Sequence, residues 1–444
     1  MTTQCTTAAR PCERLVSADR IVTQDPECPI IEKGAIALDK GRILALGTRA
    51  AMESAYAPAA RLDLGEALLM PGLVNAHTHA SMTLLRGLAD DLPLMTWLNE
   101  HIFPVEQRLT RELTKTGALL ACAEMMRLGV TAFTDMYLLE DGVFEAADEA
   151  GLRMLGGEVV FAFPSPAYTG TPATLDCIRR QAGQWQGHSR IRVAVMPHAV
   201  YTTTPELLTA CRDFAEKEDL PLHMHLAETP AETTACLEAQ GKRPVPYCRD
   251  LGLLSPRMNL AHCVDLTEEE MDILAESGVI VSHCPRSNMK LASGVSPVPA
   301  MLERGIPVAI GTDGAASNNA LNVFADMSAA ALLHKVHTLS PTALPATAAL
   351  DLATLGGAKA MHMPDAGALK AGNVADIIAL DISGPSFTPL HNPASSLVYA
   401  TSGQEVRMTM VEGEILYLDG EYSRFNLADL RARMAEAVAE LTSA

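Results

Sequence analysis

Short apolar or β-branched runs recur along the middle of the chain, and each is separated from the next by enough residues for a helix. Several of the intervening stretches are amphipathic, as in residues 110–128, 205–218, 267–276 and 298–304. Strands that alternate with helices are typical of parallel βαβ units, and eight such units predict a (β/α)8 barrel. The predicted strands cover residues 73–79, 131–136, 153–161, 192–199, 221–227, 258–264, 279–285 and 307–313.

Polar side chains stand at the carboxyl ends of these predicted strands, where barrels of this class carry their active sites. His77 and His79 end the first strand two residues apart, and they therefore point to the same face. Two imidazoles on one face can bind one metal ion, and imidazole is a favoured ligand of zinc. Five further strands end in a histidine or an aspartate, namely His198, His225, His262, His283 and Asp313.

The two ends of the chain differ from its middle. Residues 14–70 and 365–425 contain short strand-like runs separated by turn signals, and we expect the two flanks to pair into one small β-sandwich module. Residues 71–364 then form the barrel, residues 426–444 carry a terminal helix, and residues 1–13 are expected to be disordered. The predicted strands of the module are residues 14–22, 34–39, 42–47, 61–64, 375–381, 398–400, 406–411 and 414–418.

Composition narrows the class of protein. A chain of 444 residues suits a barrel with a smaller module, and its net charge of −19 disfavours nucleic acid or an anionic membrane as a partner. The ten cysteines have no framework spacing, and we find no secretory signal or membrane-spanning apolar run. We therefore expect a cytoplasmic enzyme, and a homo-oligomer because symmetric assemblies are common among soluble proteins.

Several motifs resemble those of the amidohydrolase superfamily, and in particular those of the 5′-methylthioadenosine/S-adenosylhomocysteine deaminases. The resemblance extends over nearly the whole chain and implies a metal-dependent hydrolase barrel that acts on C–N bonds. The motifs are Pro71-Gly-Leu-Val-Asn-Ala-His-Thr-His79, Arg86-Gly-Leu-Ala-Asp-Asp-Leu92, Phe103-Pro-Val-Glu106, His223-Met-His-Leu-Ala-Glu-Thr229, Ser282-His-Cys-Pro-Arg-Ser-Asn-Met-Lys-Leu-Ala-Ser-Gly294, Gly311-Thr-Asp-Gly314 and Gly367-Ala-Leu-Lys-Ala-Gly-Asn-Val-Ala-Asp376.

The chemistry of a metal-dependent hydrolase follows from these residues. Three neutral imidazoles and one carboxylate leave an open position for a water, whose pKa a bound zinc lowers toward about 7. Glu228 can move protons between this water and a ring nitrogen of the substrate, and His262 can orient the attacking hydroxide. Asp313 can accept the proton of the water, and the family carries the same roles at these positions. The candidate metal ligands are His77, His79, His225 and Asp313.

The resemblance also implies the number of metals and two contacts with substrate. Members that bind two metals carry a bridging lysine at the end of the fourth strand, but here that strand ends in His198. One divalent metal per chain is therefore expected, with zinc favoured and iron an alternative. His198 takes the position of a substrate contact, and Glu106 that of a carboxylate that hydrogen-bonds ribose hydroxyls.

Two further histidines are interpreted separately. His283 has two readings, either as a residue that orients a metal ligand from outside or as part of a Ser-His-Cys-Pro turn. His223 lies on the face of His225 by spacing. We interpret His223 as structural, because the family motif places the ligand at the second histidine.

Three functions remain open at this point. The first is hydrolytic deamination of 5′-methylthioadenosine, S-adenosylhomocysteine or both to the inosine analogue and ammonia. The alternatives are a guanine or s-triazine aminohydrolase or chlorohydrolase, and a scaffold without activity. Glu228 favours deamination, because protonating a ring nitrogen makes the amine a leaving group, and Glu106 favours a nucleoside over a free base. A scaffold would not require the complete set of candidate residues.

One segment departs from the family pattern. Deaminases of this family that bind the homocysteine substituent can use arginines after the third strand. Residues 157–170 contain no arginine, and Arg179 and Arg180 follow only on a predicted helix. We therefore expect a less polar 5′ substituent, close to Phe161 and Phe163, to bind better than that of S-adenosylhomocysteine.

Overall fold

The chain begins with strands that precede the barrel. A computed structural model describes residues 9–442. In this part of the chain a short helix, α1 (Arg49–Ala55), separates the third strand from the fourth. The strands are β1 (Arg10–Val22), β2 (Ile30–Asp39), β3 (Arg42–Thr48), β4 (Tyr56–Asp63) and β5 (Ala67–Pro71).

The middle of the chain forms a closed barrel of eight parallel strands, the fourth of which is interrupted. The strands are β6 (Leu73–Thr78), β7 (Val130–Tyr137), β8 (Arg153–Val160), β9 with β10 (Ile191–Val193 and Met196–Pro197), β11 (Leu222–Leu226), β12 (Met258–His262), β13 (Ile280–His283) and β14 (Val308–Ile310).

Parallel pairing links these strands into a ring. A bridge between Val195 and Leu222 joins the fourth strand to the fifth. The ring closes after β14, where the Asp313 N–H donates to His77 O at 3.0 Å. The strands are buried almost throughout, as expected when helices cover one face and the barrel core the other. The predicted (β/α)8 barrel is confirmed.

The helices around the barrel begin at capping residues. Thr110, Thr204, Thr229 and Thr267 each accept a hydrogen bond from a backbone N–H of the first turn, which would otherwise lack a partner. After α1, the helices are α2 (Leu94–Thr96), α3 (Phe103–Glu106), α4 (Arg111–Arg127), α5 (Asp141–Ala150), α6 (Thr171–Gln184), α7 (Pro205–Glu218), α8 (Pro230–Gln240), α9 (Pro244–Asp250), α10 (Glu268–Ser277), α11 (Pro285–Lys290), α12 (Val298–Glu303), α13 (Val323–Thr338), α14 (Ala346–Asp351), α15 (Gly357–Ala360), α16 (Pro393–Tyr399) and α17 (Leu427–Thr442). Short 3₁₀ segments cover Ala80–Leu85, Val200–Thr202 and Pro385–Phe387, and π-helical segments cover Trp97–Ile102 and Leu352–Gly356.

Both ends of the chain share one sheet. The C-terminal flank contributes β15 (Ile377–Asp381), β16 (Val406–Val411), β17 (Glu414–Leu418) and β18 (Glu421–Tyr422). The strand order is β18-β17-β16-β15-β5-β1-β2-β3, with β4 beside β1. Strand β5 joins the two flanks, because it pairs antiparallel with β15 and parallel with β1. The flanks therefore pair as predicted. The module that the sequence predicted as a β-sandwich consists of one continuous nine-stranded sheet.

A buried ion pair connects this sheet to the bottom of the barrel. Arg153, the first residue of β8, places Nε 2.6 Å from Asp376 Oδ2 and Nη2 3.2 Å from Asp376 Oδ1. Arg153 Nη2 also lies 3.2 Å from Glu412 Oε1. Arg153 and Asp376 are buried, and Glu412 is partly exposed.

Three sequence predictions about the flanks are wrong or incomplete. Residues 398–400 lie at the end of α16 rather than in a strand, because Asn392 caps that helix and Pro393 begins it. Strand β1 begins at Arg10, so disorder is wrong for residues 10–13, whereas residues 1–8 lie outside the described residues. Strand β5 was not predicted, because Pro71 ends it and proline argues against a central strand.

Within residues 9–442, none of the helices is both long enough and apolar enough to cross a membrane.

Candidate active site

The barrel brings the polar strand ends together at one end. His77 comes from β6, His225 from β11 and His262 from β12, while His79 directly follows β6 and Asp313 follows β14. Asp313 Oδ1 lies 3.4 Å from His77 Nε2 and 3.2 Å from His79 Nε2. The Nε2 atoms of His79 and His225 are 3.3 Å apart. All five side chains are buried except that of His79, which is partly exposed.

These atoms are placed to hold a divalent cation. Ligand atoms of His77, His79 and His225 lie within 4.8 Å of one another, and so do those of His77, His262 and Asp313. His77 Nε2 is buried without a hydrogen-bond partner among residues 9–442, as expected for a nitrogen whose lone pair coordinates a metal. Burial lowers the pKa of His77 to about 4 and that of His225 well below its usual range. Both rings are therefore neutral and can offer a lone pair.

The three candidate ligand histidines, His77, His79 and His225, each make a contact through the second ring nitrogen, Nδ1. Such contacts fix the tautomer and the direction of a ring that ligates a metal. The three contacts are His77 Nδ1 with His223 Nε2 at 2.8 Å, His79 Nδ1 with Met136 O at 2.5 Å, and His225 Nδ1 with His198 O at 2.9 Å.

His223 has a closer relation to the site than the sequence interpretation gave it. Its ring is buried and is the direct partner of His77. The spacing contains the signal, because His223 and His225 are two residues apart on β11 and so share a face. The neighbour on that face is visible only once β6 and β11 are packed in one barrel.

Two serines hold the carboxylate of Asp313. Ser287 Oγ donates to Asp313 Oδ2 at 2.6 Å and Ser317 Oγ at 2.9 Å, while the Gly314 N–H donates to Oδ1 at 2.8 Å. Burial alone would raise the pKa of Asp313, but contacts with His77 and the neighbouring histidines outweigh it and hold this pKa well below its usual range. Asp313 is therefore a carboxylate fixed in one orientation.

Glu228 and His262 face the same space. Glu228 Oε2 lies 3.9 Å from His262 Nε2, and His262 Nδ1 lies 2.9 Å from Asn288 Oδ1. The loop that carries Glu228 is fixed by Glu232, whose Oε2 accepts the Glu228 N–H at 2.7 Å. Burial raises the pKa of Glu228 above its usual value, a shift that suits a group that both holds and releases a proton.

A cavity opens above this cluster, and the empty space in and around it, open solvent included, is about 600 Å³. Its walls are largely apolar, and among the described residues none that line it is a lysine or an arginine. The lining residues are His79, Met82, Leu94, Trp97, Leu98, Phe103, Glu106, Met136, Tyr137, Leu138, Val159, Phe161, His198, Tyr201, His225, Glu228, His262, Leu291, Asp313 and Ser317.

The predicted substrate contacts both line this cavity. Glu106 is buried, and Tyr137 donates its hydroxyl to Glu106 Oε1 at 2.7 Å. His198 Nδ1 lies 2.9 Å from Thr202 Oγ1, and the ring packs against Phe161 with centroids 4.8 Å apart. Phe163 stacks on the other side of Phe161, also at 4.8 Å, and is 42% exposed.

His283 is buried at the end of β13 and packs against a second histidine. Both of its ring nitrogens are buried without a hydrogen-bond partner among residues 9–442. The ring packs against His334 of α13, with centroids 5.3 Å apart. The reading in which His283 orients a ligand stays a prediction, and the structure shows no hydrogen bond from its ring to a candidate ligand within residues 9–442.

Solved structures of similar fold include metal-bound hydrolases. An adenosine deaminase from Xanthomonas campestris with bound zinc superposes with a TM-score of 0.96 at 37% identity, covering 98% of this chain and 99% of that one. Atrazine chlorohydrolase from Arthrobacter aurescens complexed with zinc superposes with a TM-score of 0.89, covering 96% and 100%. At 23% identity, that second likeness is one of fold alone.

Curated relatives match over most of their length. The 5-methylthioadenosine/S-adenosylhomocysteine deaminase of Nitratidesulfovibrio vulgaris strain Hildenborough is 60% identical over 96% of this chain and 97% of the relative. The 5′-deoxyadenosine deaminase of Methanothermobacter thermautotrophicus is 47% identical over 84% and 88%. The sequence model of the Amidohydrolase family matches residues 68–416. The resemblance found in the sequence is thus confirmed, and the chain belongs to the amidohydrolase family.

Proposed function

We propose that the chain is a hydrolytic deaminase of 5′-modified adenosines, converting 5′-methylthioadenosine, S-adenosylhomocysteine or both to the inosine analogue and ammonia. One observation carries the proposal. The metal-suited cluster, Glu228 and the buried carboxyl of Glu106 all face one cavity. A reacting centre and an anchor for a ribose diol are therefore available to the same ligand. The names of two curated relatives support this substrate class.

We propose that one divalent metal is held by His77, His79, His225 and Asp313, with zinc favoured and iron the alternative. When bound, the metal supplies a Lewis acid and lowers the pKa of a water toward about 7. The strand that would carry a bridging lysine in a two-metal member ends in His198, which supports a single metal.

The protein's own residues would move the protons. Asp313, fixed by Ser287 and Ser317, accepts a proton from the attacking water. Glu228 delivers a proton to the purine ring nitrogen beside the reacting carbon. Asp313 would then pass the proton it took from the water to the exocyclic amine, which leaves as ammonia, while the added hydroxyl returns a proton to Glu228. His262 lies beside Glu228 and can donate a hydrogen bond to the oxygen that attacks.

The other end of the cavity would select the nucleoside. Glu106 accepts hydrogen bonds from the ribose hydroxyls, and Tyr137 holds its carboxyl in place. His198 adds a polar contact beside the apolar face of Phe161. Because no lysine or arginine of the described residues lines the cavity, the carboxylate of S-adenosylhomocysteine has no bidentate partner there.

A side-by-side panel with ammonia release as the readout tests this function. The substrates are 5′-methylthioadenosine, S-adenosylhomocysteine, 5′-deoxyadenosine, adenosine, adenine, guanine and a chloro-s-triazine. We expect 5′-methylthioadenosine to react with a higher kcat/KM than adenine. S-adenosylhomocysteine should have the higher KM at similar kcat, because the purine sits identically. Glu106→Ala should reduce the preference for nucleosides over adenine.

The panel also separates the alternatives. Turnover of guanine or the chlorotriazine alone would replace the nucleoside deaminase with an aminohydrolase or chlorohydrolase of the same family. A lower KM for S-adenosylhomocysteine would show that an arginine from elsewhere reaches the pocket.

We also propose a cytoplasmic location and a homo-oligomeric assembly. The nine cysteines in the described part of the chain are free thiols, and eight of them are buried, which suits a reducing compartment. The oligomeric state is a prediction that light scattering of the purified protein would check.

A further inference from the structure

Three carboxyl groups lie together in the interior beside β7 and β8. Asp135 and Glu140 are fully buried, and Glu158 is 1% exposed. Glu158 accepts two backbone N–H groups, each at 2.9 Å, which favours its charged form. Three negative charges so close together and without solvent are too costly to coexist, so one of the groups must hold a proton.

Asp135 is linked to the candidate metal cluster. Its Oδ1 accepts the Thr78 hydroxyl at 2.6 Å and the Ala80 N–H at 2.5 Å. Thr78 and Ala80 are the two neighbours of His79. The direction in which His79 leaves β6 therefore depends on where the Asp135 carboxylate is held.

Glu140 is the group that can hold Asp135. Among residues 9–442, Asp135 Oδ2 and both oxygens of Glu140 are buried without a well-formed hydrogen bond, and the contact of Glu140 with the Gly157 N–H is outweighed by burial. The two side chains are in hydrogen-bond contact, and one proton on Glu140 lets its O–H donate to Asp135 Oδ2. Burial, followed by the negative charges of Asp135 and Glu158, raises the pKa of Glu140 well above its usual range.

The surroundings leave room for this carboxyl and for little else. Gly156 on β8 faces it, and a Cβ added there would lie 2.8 Å from Glu140 Oε1 and 2.2 Å from Met154 Cε. Any other residue at position 156 would displace the Glu140 side chain. The absence of a side chain at Gly156 therefore leaves the space that the Glu140 carboxyl occupies.

We propose that Glu140 is kept as a neutral carboxylic acid whose O–H fixes Asp135 and, through Asp135, the turn that carries His79. Glu140 is then a positioning residue for the metal centre, and in that respect the inference rests on the proposed function. The charge of Glu140 has no part in this role. An isosteric neutral donor should replace it, whereas an apolar residue should not.

The experiment compares Glu140→Gln with Glu140→Leu. Metal affinity is measured by competition with a chelator, with circular dichroism as a check of folding. Glu140→Gln should bind metal about as tightly as wild type, whereas Glu140→Leu should bind on the order of 10–100-fold more weakly, as when an outer partner of a metal ligand is lost. Equal losses in both variants, or no loss in Glu140→Leu, would overturn the proposal.

An infrared difference spectrum at neutral pH reads the protonation state without metal or activity. Glu140→Gln should remove a band of a protonated carboxyl group. Glu270→Gln is the matched control, because Glu270 is equally buried but paired with Arg243 at 3.0 Å, and it should remove a carboxylate band. Loss of a carboxylate band in Glu140→Gln would refute the neutral acid, whether or not the wild type binds metal. Failure of the wild type to bind metal would refute the proposed metal centre but not the protonation state of Glu140.

Discussion

The contact between His77 and His223 determines how firmly one candidate ligand is held. If His77 binds metal through Nε2, its Nδ1–H donates to His223 Nε2 at 2.8 Å. His223→Ala should then weaken metal affinity on the order of 10–100-fold, while activity per bound metal changes little. His223→Gln retains an acceptor and should recover part of the affinity. Chelator competition measures the affinity, and unchanged affinity in His223→Ala would remove His223 from the site.

Proton transfer by Glu228 gives a second prediction at this scale. Glu228→Gln keeps the shape and the backbone contact with Glu232 but cannot exchange a proton. Deamination should fall on the order of a hundredfold or more, as for the loss of a general acid–base group. Metal content measured by elemental analysis should stay at the wild-type level. Joint loss of metal and activity would make Glu228 structural, and near-normal turnover would exclude it from the mechanism.

At the scale of elements, sequence periodicity located the barrel because each strand is buried on both faces. The predicted strand of residues 258–264 is seen as β12, and its terminal His262 points into the cavity. A histidine or an acid directly after such a run is unusual, so position along the element identified the histidines and Asp313, whereas Glu106 came from the family resemblance. The short run of residues 398–400 failed, because three apolar residues do not distinguish a strand from a helix.

The partners of the site residues could not be predicted in the same way. Ser287 reaches Asp313, and Glu140 reaches Asp135, through the packing of different elements. Neither contact leaves a periodic signal, because serine and glutamate are common in loops and at helix ends. The sequence predicts the order of the strands but not their register. Partners of this kind can therefore be identified only from the three-dimensional structure.

The buried ion pair of Arg153 and Asp376, called the buried joint below, connects the sheet to the barrel and supports a prediction about stability. Asp376→Ala leaves Arg153 buried, with the partly exposed Glu412 as its remaining ion-pair partner and the Ser189 carbonyl as a neutral acceptor. The free energy of unfolding should fall by about 3 kcal/mol, the lower end of the range for breaking a buried pair, because Glu412 remains. Urea denaturation measures it, and Arg153→Met with Asp376→Leu should restore much of the loss.

A matched control separates burial from charge. Arg407 and Asp419 form an ion pair between β16 and the turn before β18, at 2.8 Å, in which Arg407 is partly exposed and Asp419 is exposed. Arg407→Ala should cost no more than about 1 kcal/mol, because solvent screens the pair. An equal cost at both sites would contradict the role given to the buried joint.

At the scale of the whole molecule, the candidate ligands come from parts of the chain far apart in sequence. His77 lies on the first barrel strand and His79 directly follows it, His225 lies on the fifth, and Asp313 follows the eighth. A metal held by all four would therefore connect opposite sides of the barrel and reinforce its closure beside β14. Folding and metal binding are coupled through this arrangement.

Removal of the metal should accordingly lower the stability of the entire chain. A ligand that binds only the folded state stabilises it by about 2.7 kcal/mol at a free concentration 100 times its Kd, and by about 1.4 kcal/mol for each further tenfold. We expect Tm to fall on chelation and to rise again with added zinc. Glu228→Gln should keep this dependence of Tm on metal, because Glu228 is not a candidate ligand. His225→Ala should lose most of the dependence, because His225 is one. Equal Tm values for the metal-free and metal-loaded wild type would show that the cluster does not bind metal in the folded protein.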